Sequence, residues 1–417
     1  MSGRRVRLPL LGAAFYVAVP LGEWPALGLS LSAPLLAFVL VETLAASRLR
    51  LAPVWLRAAG ALWLGCAASL IVNLLAGEIS DVAFEEALLL VRFAYWLAVF
   101  LAVAAWLPRV DWAPQLAAAF GLGGAALAGL RLLEAARDGV WGSGNPRWLS
   151  QNDYGFGFSV FLPFLWWTAA AGPRPLRLWA LLACPAAVAA AVGNGSRSSW
   201  LASLAGLGVL CWTAAPAVRR RRLGGPAFAL AGVFVLLAVA GAGASSSPSG
   251  WLDAPADRAR SLARLDRDKP FQTRLLLVDK GLELFERSPW FGVGLGRFEK
   301  EFADPSGLAE APWLDRDRFN ARTPHNAYVK ALAETGIFGF APLLFLLGSL
   351  AWKAPGAARR LASDGETWPA AAVAAGAGAA LHLWTMSGLT GSGPWLVLGL
   401  VAAAIERDRR MRRTKTS

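Results

Sequence analysis

The chain is poor in the residues most often used for chemistry. Its 417 residues include three cysteines, two histidines, three methionines and four tyrosines. Cys66, Cys184 and Cys211 each fall inside an apolar run. They form neither a disulfide framework nor a metal-ligand spacing and read as small packing residues. Acidic residues are scarce, 28 against 41 lysines and arginines, for a formal net charge of +13. The basic residues are split among short clusters with no recognition module beside them, which gives no case for a nucleic-acid partner. No segment repeats at a fixed length. The first apolar run lacks a convincing cleavage site and reads as an uncleaved signal anchor.

Apolar sequence is what the chain has in excess: 56% of residues are hydrophobic and the mean hydropathy is +0.46. Runs near 20 residues recur throughout, each long enough to cross a hydrocarbon core of roughly 30 Å. They predict spans at 8–22, 27–46, 56–76, 88–107, 113–131, 155–171, 176–193, 199–215, 226–243, 328–350, 369–387 and 393–405. The expected fold is therefore an all-α polytopic membrane protein of about twelve transmembrane helices. Residues 1–243 would hold nine of them, 244–327 a large outer loop, and 328–417 the last three with a basic tail. With that count the clusters Arg4/Arg5/Arg7, Arg48/Arg50/Arg57, Arg174/Arg177, 219–222, Lys353/Arg359/Arg360 and the tail RDRRMRRTK all fall on one side. The short loops opposite are poor in Lys and Arg, so both termini are predicted to be cytoplasmic.

The large loop opens with GAGASSSPSG and nearly balances its acids and bases, as a folded cap would. Within it, FQTRLLLVDKGLELFER at 271–287 spaces Phe271, Leu275, Val278, Leu282 and Phe285 as an amphipathic helix, for the membrane surface or for packing over the bundle. Arg274 borders that stripe. It is either an ordinary surface cation or half of a phosphate clamp. A smaller outer loop covers about 132–154.

His325 stands where the large loop re-enters an apolar helix, in TPHNAYVKALAETGIFG. With Thr323 as cap and Pro324 at the first helical position, it would lie in the first turn. The positive helix end there disfavours imidazolium, and a neutral imidazole can take a proton from a hydroxyl. Gly336 and Gly339 would return to its face of the helix and let a neighbouring helix approach. Arg197, in GNGSRSSW, is placed at the outer start of a span, where helix N–H groups and a guanidinium fork suit a phosphate; the alternative is an interfacial anchor. Arg92, inside LLLVRFAYW, is a substrate-binding candidate because ionisable residues within spans usually serve function; otherwise it snorkels or pairs with Glu85 or Glu86. His382 reads as a hydrogen-bonded bundle residue. GVGLG at 292–296 lacks the strand–turn–helix setting of a dinucleotide site and reads as a structural turn. Asp266/Asp268 and Asp315/Asp317 read as solvated ion pairs before metal ligands. Trp141, Trp148, Trp290 and Trp313 are available to stack on sugar rings. Asn194-Gly-Ser fits a glycosylation sequon, a common tripeptide.

SQNDYGFGF at 150–158, GNGSRSSWLA at 193–202, SPWFGVGLGRF at 288–298 and HN-x9-GxxG at 325–339, in this order around one dominant outer loop, resemble the O-antigen ligase and polymerase superfamily of bacterial envelope enzymes. The resemblance runs from about Arg92 onward. It implies a GT-C-type glycosyltransferase of the bacterial inner membrane that takes a glycan from undecaprenyl diphosphate on the periplasmic side. It passes the glycan, with inversion and without metal or cofactor, to a sugar hydroxyl of lipid A–core. By the same resemblance His325 would be the base, Arg197 and Arg274 would hold the lipid diphosphate, Asn326 would orient the site, and Gly336 and Gly339 would pack it. An acidic residue that some ligases carry near the outer end of the penultimate span has no counterpart around SGLTGSG. A polymerase would share the donor and differ in acceptor. A transporter or flippase would instead place its polar groups at the bilayer midplane in repeated halves.

Overall fold

Within hydrocarbon every backbone N–H and C=O needs an internal partner, and a run of Ala, Leu, Val and Phe meets that need as a helix. The computed structural model describes residues 53–77, 83–138, 150–221, 269–302, 324–386, 389 and 391–416. Over these residues the secondary structure is helical, without a strand. The helices are α1 (Pro53–Leu75), α2 (Ala83–Trp106), α3 (Ala113–Asp138), α4 (Gln151–Ala171), α5 (Arg174–Gly193), α6 (Arg197–Arg221), α7 (Lys269–Arg287), α8 (Phe298–Phe302), α9 (Ala327–Ser363), α10 (Trp368–His382) and α11 (Ser392–Thr416). The predicted spans from 56–76 to 199–215, and the last three, coincide with α1 to α6 and α9 to α11. The spans at 8–22, 27–46 and 226–243 lie outside the described residues, as do both D-x-D triplets, Thr323, Trp141, Trp148 and Trp313.

Among the described residues six helices (α1, α2, α3, α5, α6 and α9) are long and apolar enough to cross a membrane. The protein is a multi-pass membrane protein. The other three predicted spans differ for physical reasons. Helix α4 is buried along most of its length and can carry Gln151, Asn152 and Asp153 at its start. Helix α11 runs out of its apolar half into ERDRRMRRTK. Helix α10, only 15 residues long, is the thin centre of the bundle.

The sequence of α10, WPAAAVAAGAGAALH, explains its place. Small side chains let several helices close on it, which is how association proceeds where lipid removes the usual hydrophobic drive. A Cβ on Gly378 would come within 2.6 Å of the Ser159 carbonyl on α4, and one on Gly206 of α6 within 3.0 Å of the Ala374 carbonyl. One apolar cluster joins α3, α4, α5 and α6 to α10. A second joins α1, α2, α9 and α11. In the second, α1 and α9 touch backbone to backbone. A Cβ on Gly65 would meet the Phe338 carbonyl and come within 2.7 Å of the Gly339 Cα.

Polar groups sort the two ends of the bundle. At one end Arg360 pairs with Asp408, Arg407 with Glu366, and Trp55 with Glu406. These contacts gather the start of α1 and the ends of α9 and α11, and with them Arg57, Lys353, Arg359, Arg360 and the basic residues of α11. The opposite end collects the starts of α2, α4, α6 and α9 and the ends of α1, α3, α5 and α10, through the contacts described next.

Gly65→Leu is expected to lower the thermal midpoint of the detergent-solubilised protein by the equivalent of about 1–3 kcal/mol of overpacking. Gly60→Leu, on the same helix with no atom within 4 Å of its Cβ position, should leave it unchanged. Scanning fluorimetry of the two variants checks this, and equal midpoints would disprove the close α1–α9 contact.

Candidate functional site

Helix α9 begins two residues after a histidine held in an uncommon backbone state. The Asn326 side chain accepts from the backbone N–H of Tyr328 and Val329 at 3.0 and 3.1 Å, which makes Asn326 the cap and Ala327 the first helical residue. The expected Thr323–Pro324 start is therefore corrected. His325 precedes the helix, because the asparagine oxygen already satisfies the free N–H groups that a threonine was expected to serve. His325 has φ 45°, among the described residues the one non-glycine φ above zero. Histidine tolerates the left-handed region better than most residues, at a cost of order 1 kcal/mol.

The second correction concerns the two glycines. Gly336 has φ 57° and ψ −161°, a conformation essentially reserved for glycine, and it breaks α9. His325, Gly336 and Gly339 thus do not share one continuous helical stripe. The break frees backbone groups on both sides, and the segment 288–297 satisfies them. Val293 N–H donates to the Ala333 carbonyl (3.0 Å) and Gly294 N–H to that of Glu334 (3.1 Å). Beyond the break, Ile337 and Phe338 N–H donate to Pro289 and Trp290 carbonyls at 2.9 and 3.1 Å. The approach is backbone on backbone: a Cβ on Gly336 would lie 2.6 Å from Phe291 N, and one on Gly292 2.5 Å from Thr335 N. GVGLG is accordingly a structural turn, as its setting predicted, and its function is to dock on the broken helix.

Side chains that the sequence reading passed over hold this dock. Ser69 on α1 donates to the Glu334 carbonyl at 2.8 Å, and Asn73 to the Gly292 carbonyl at 3.1 Å. The buried Glu334 carboxylate accepts from Phe298 N–H at 3.3 Å. Lys330 lies 2.6 Å from Glu299 and 3.6 Å from Glu334. A lysine and a glutamate four residues apart inside an apolar helix were the available signal.

Helix α7 lies along the first half of α9. Its packed face is Leu277, Gly281 and Leu284, with Leu275 and Leu282 exposed. The contact face is thus offset from the predicted stripe of Phe271, Leu275, Val278, Leu282 and Phe285. Gly281 explains the shift: it reads as a gap in an apolar pattern, yet it is where α7 comes against Val329, with Phe298 3.2 Å from its Cβ position. Arg274 is one turn before Leu277 on this inward face and is half-buried. On the outward side Lys280 and Arg287 hydrogen-bond Glu283 and hold its carboxyl below the usual carboxylate range. Since Gly281 sits against Val329 and Pro289 against Ile337, α7 and α9 run parallel. The turn carrying Arg274 therefore rises toward the segment carrying His325.

His382 is buried, and its Nε2 donates to the Asn152 carbonyl at 3.1 Å, the hydrogen-bonded bundle role expected of it. The charge of Arg274 reaches it. A Cβ on Gly155 would lie 2.9 Å from Ser199, 3.1 Å from the His382 ring and 3.2 Å from the Ser196 hydroxyl. His382 and the N-terminus of α6 therefore meet at one point. The Ser196 carbonyl accepts from Trp200 N–H (3.1 Å), and Arg197 is the first helical residue, half-buried. Tyr328 joins the start of α9 to this corner through its hydroxyl on the Ala380 carbonyl (2.8 Å) and its ring against Trp384.

The corner is braced from behind. Asn194 and Gln151 exchange hydrogen bonds at 2.6 and 2.9 Å, and buried Arg131 reaches Asn194 at 3.3 Å and lies over the Tyr154 ring. SQNDYG and GNGSRSS are thus two halves of one joint, and Asn194, fully buried, is not presented to a glycosylating enzyme.

Arg197, Arg274, His382 and the His325–Asn326 segment are brought to one end of the bundle. Arg92 is not among them. It is exposed on the outer face of α2 beside exposed Val91. Of the two alternatives to a binding role, snorkelling and pairing with Glu85 or Glu86, the carboxylates of the second are taken by Lys300, at 3.9 and 3.4 Å. Glu86 lies on a different face of the helix from Arg92, and Glu85 two turns away, about 10 Å along the axis.

Residues 179–344 match the family model described as O-antigen ligase. The matched stretch holds the α5–α6 joint, α7, the glycine loop and the break in α9. No curated protein matches the chain.

Gly336→Ala is expected to leave the protein inserted but to loosen the dock. Hydrogen–deuterium exchange at 289–296 should rise well above that of the wild type. Gly348→Ala, past the break with nothing within 4 Å of its Cβ position, should exchange like the wild type. Unchanged protection in the Gly336 variant would refute the dock.

Proposed function

We propose that this chain, whose residues 179–344 match the family model described as O-antigen ligase, moves a glycan from undecaprenyl diphosphate to a sugar hydroxyl of lipid A–core, without a metal. The proposed setting is a GT-C-type bundle of about twelve spans in the bacterial inner membrane, with both termini cytoplasmic and the site periplasmic. The observation that supports the reading is that Arg274, the N-terminus of α6 with Arg197, and the His325 segment lie toward the same end of the bundle, opposite Lys353, Arg360 and the basic end of α11.

In this reading His325 takes the proton of the acceptor hydroxyl. The freed oxygen attacks the anomeric carbon from the face opposite the diphosphate, the carbon–oxygen bond to the diphosphate breaks, and configuration inverts. Negative charge then builds on the leaving diphosphate. Arg197 and Arg274 neutralise it with planar, permanently charged forks, aided by the N–H groups at the start of α6. Asn326 fixes where the helix begins and so where His325 stands. The docked loop keeps α7, and with it Arg274, in register with α9. Arg92 has no part in this scheme. The clustering of these groups at one end, away from the midplane, favours transfer chemistry over transport.

His325→Ala is expected to reduce glycan transfer by about 10²–10⁴-fold while the protein still inserts. Arg197→Lys should lose about tenfold or more, since an ammonium is not a planar fork. Gel analysis of envelope polysaccharide in a deletion strain complemented with each variant provides the measurement. Normal polymer on the core with a well-expressed His325→Ala variant would refute the base assignment. In the deletion strain itself, loss of all core-linked polymer indicates a ligase, single-repeat products a polymerase, and unchanged polymer with trapped cytoplasmic intermediates a flippase.

A further inference from the structure

A cavity of about 560 Å³ lies at the basic end of the bundle, between the start of α1 and the later parts of α9 and α11. Its size suits a ligand headgroup, and it lies at the opposite end of the bundle from the candidate site. Lys353, Arg360, Arg409 and Arg412 line it with Glu406 and Asp408, which leaves two positive charges in excess.

The charges are arranged, not scattered. Asp408, buried to 3%, carries two guanidinium groups at once: Arg360 at 2.9 Å and Arg412 at 2.7 Å. One carboxylate thus orients two cations and balances only one. Glu406 is taken by Arg409 at 3.0 Å and by the Trp55 indole at 2.9 Å. Lys353 lies over the Trp55 ring, 5.6 Å from its centre, with no acidic partner among the described residues. Uncompensated charge therefore resides on Lys353 and on the Arg360–Arg412 pair.

The surroundings are amphipathic. Phe338, Phe345 and Trp352 are 51%, 55% and 86% exposed and recur at seven-residue steps on one outward stripe of α9. The stripe ends at the cavity, whose wall includes Trp352. An apolar track that leads into a cationic cleft fits a molecule with acyl chains and an anionic phosphodiester head.

We propose that this cleft binds an anionic glycerophospholipid. Its headgroup phosphate sits between Lys353 and the Arg360–Arg412 pair, and an acyl chain lies along the Phe338–Trp352 stripe. A diphosphatidyl lipid, with two phosphates, matches the excess of two charges best. The site stands apart from the proposed transfer chemistry and does not depend on it.

Native mass spectrometry of the full-length protein in detergent, titrated with diphosphatidylglycerol, phosphatidylcholine or inorganic phosphate, tests this. The wild type should retain diphosphatidylglycerol in preference to phosphatidylcholine. Lys353→Gln/Arg412→Gln should weaken that retention roughly tenfold or more. Arg410→Gln/Arg413→Gln removes the same charge from exposed positions of α11 outside the cleft and should leave retention unchanged. Equal loss in both double variants would reduce the effect to bulk charge and overturn the proposal. Equal retention of phosphatidylcholine, or displacement of the bound lipid by millimolar phosphate, would overturn it as well. All four substituted side chains are exposed, and a circular-dichroism spectrum matching the wild type confirms that each variant is folded.

Discussion

Inside a membrane a helix cannot be interrupted without new partners for the backbone groups it releases. Helix α9 is interrupted at Gly336, and the partners come from 288–297, the segment between α7 and α8. Four N–H···O=C bonds cross between the two. Much of the candidate site follows from that exchange. It fixes the C-terminal end of α7, hence the height of Arg274. It draws Ser69 and Asn73 of α1 toward the loop, and it requires glycine where the two backbones touch. The buried Glu334 and its neighbour Lys330 are then the side-chain complement of a backbone event.

The same logic explains why two separated glycine-rich motifs belong together. SPWFGVGLG and the GxxG of α9 are opposite faces of one contact. Gly292 faces the Glu334–Thr335 peptide and Gly336 faces the Trp290–Phe291 peptide. Gly339 acts differently, through its closeness to Gly65 of α1. Likewise SQNDYG and GNGSRSS are joined through Gln151 and Asn194, which sets the start of α6 beside His382 and gives Arg197 its position.

The helices were legible because apolar length is a one-dimensional property. Nine predicted spans coincide with helices among the described residues. Where the reading failed, it failed on properties that need a partner. The start of α9 was assigned to Thr323 and Pro324 by residue preference, but Asn326 reaches the free N–H groups first. The face of α7 was read from its large apolar residues, whereas the true contact centres on Gly281, which hydropathy registers as a gap. Gly336 and Gly339 were read as spacers on one stripe, because nothing local announces that the chain between Thr335 and Ile337 leaves the helix. Arg92 drew attention for lying within a span, and only the packing shows which side of α2 it occupies. The residues missed altogether, Ser69, Asn73, Arg131 and Glu334, gain meaning from atoms tens to hundreds of positions away.

The repair of α9 also constrains how the molecule can be made. Its three contributors, α1, the 288–297 loop and α9, are separated by more than two hundred residues from first to last. A chain emerging from its N-terminus must therefore hold Ser69, Asn73 and the glycine loop in waiting until α9 is synthesised. Closure of this corner is thus a late event in biogenesis, completed only after most of the bundle is in the bilayer.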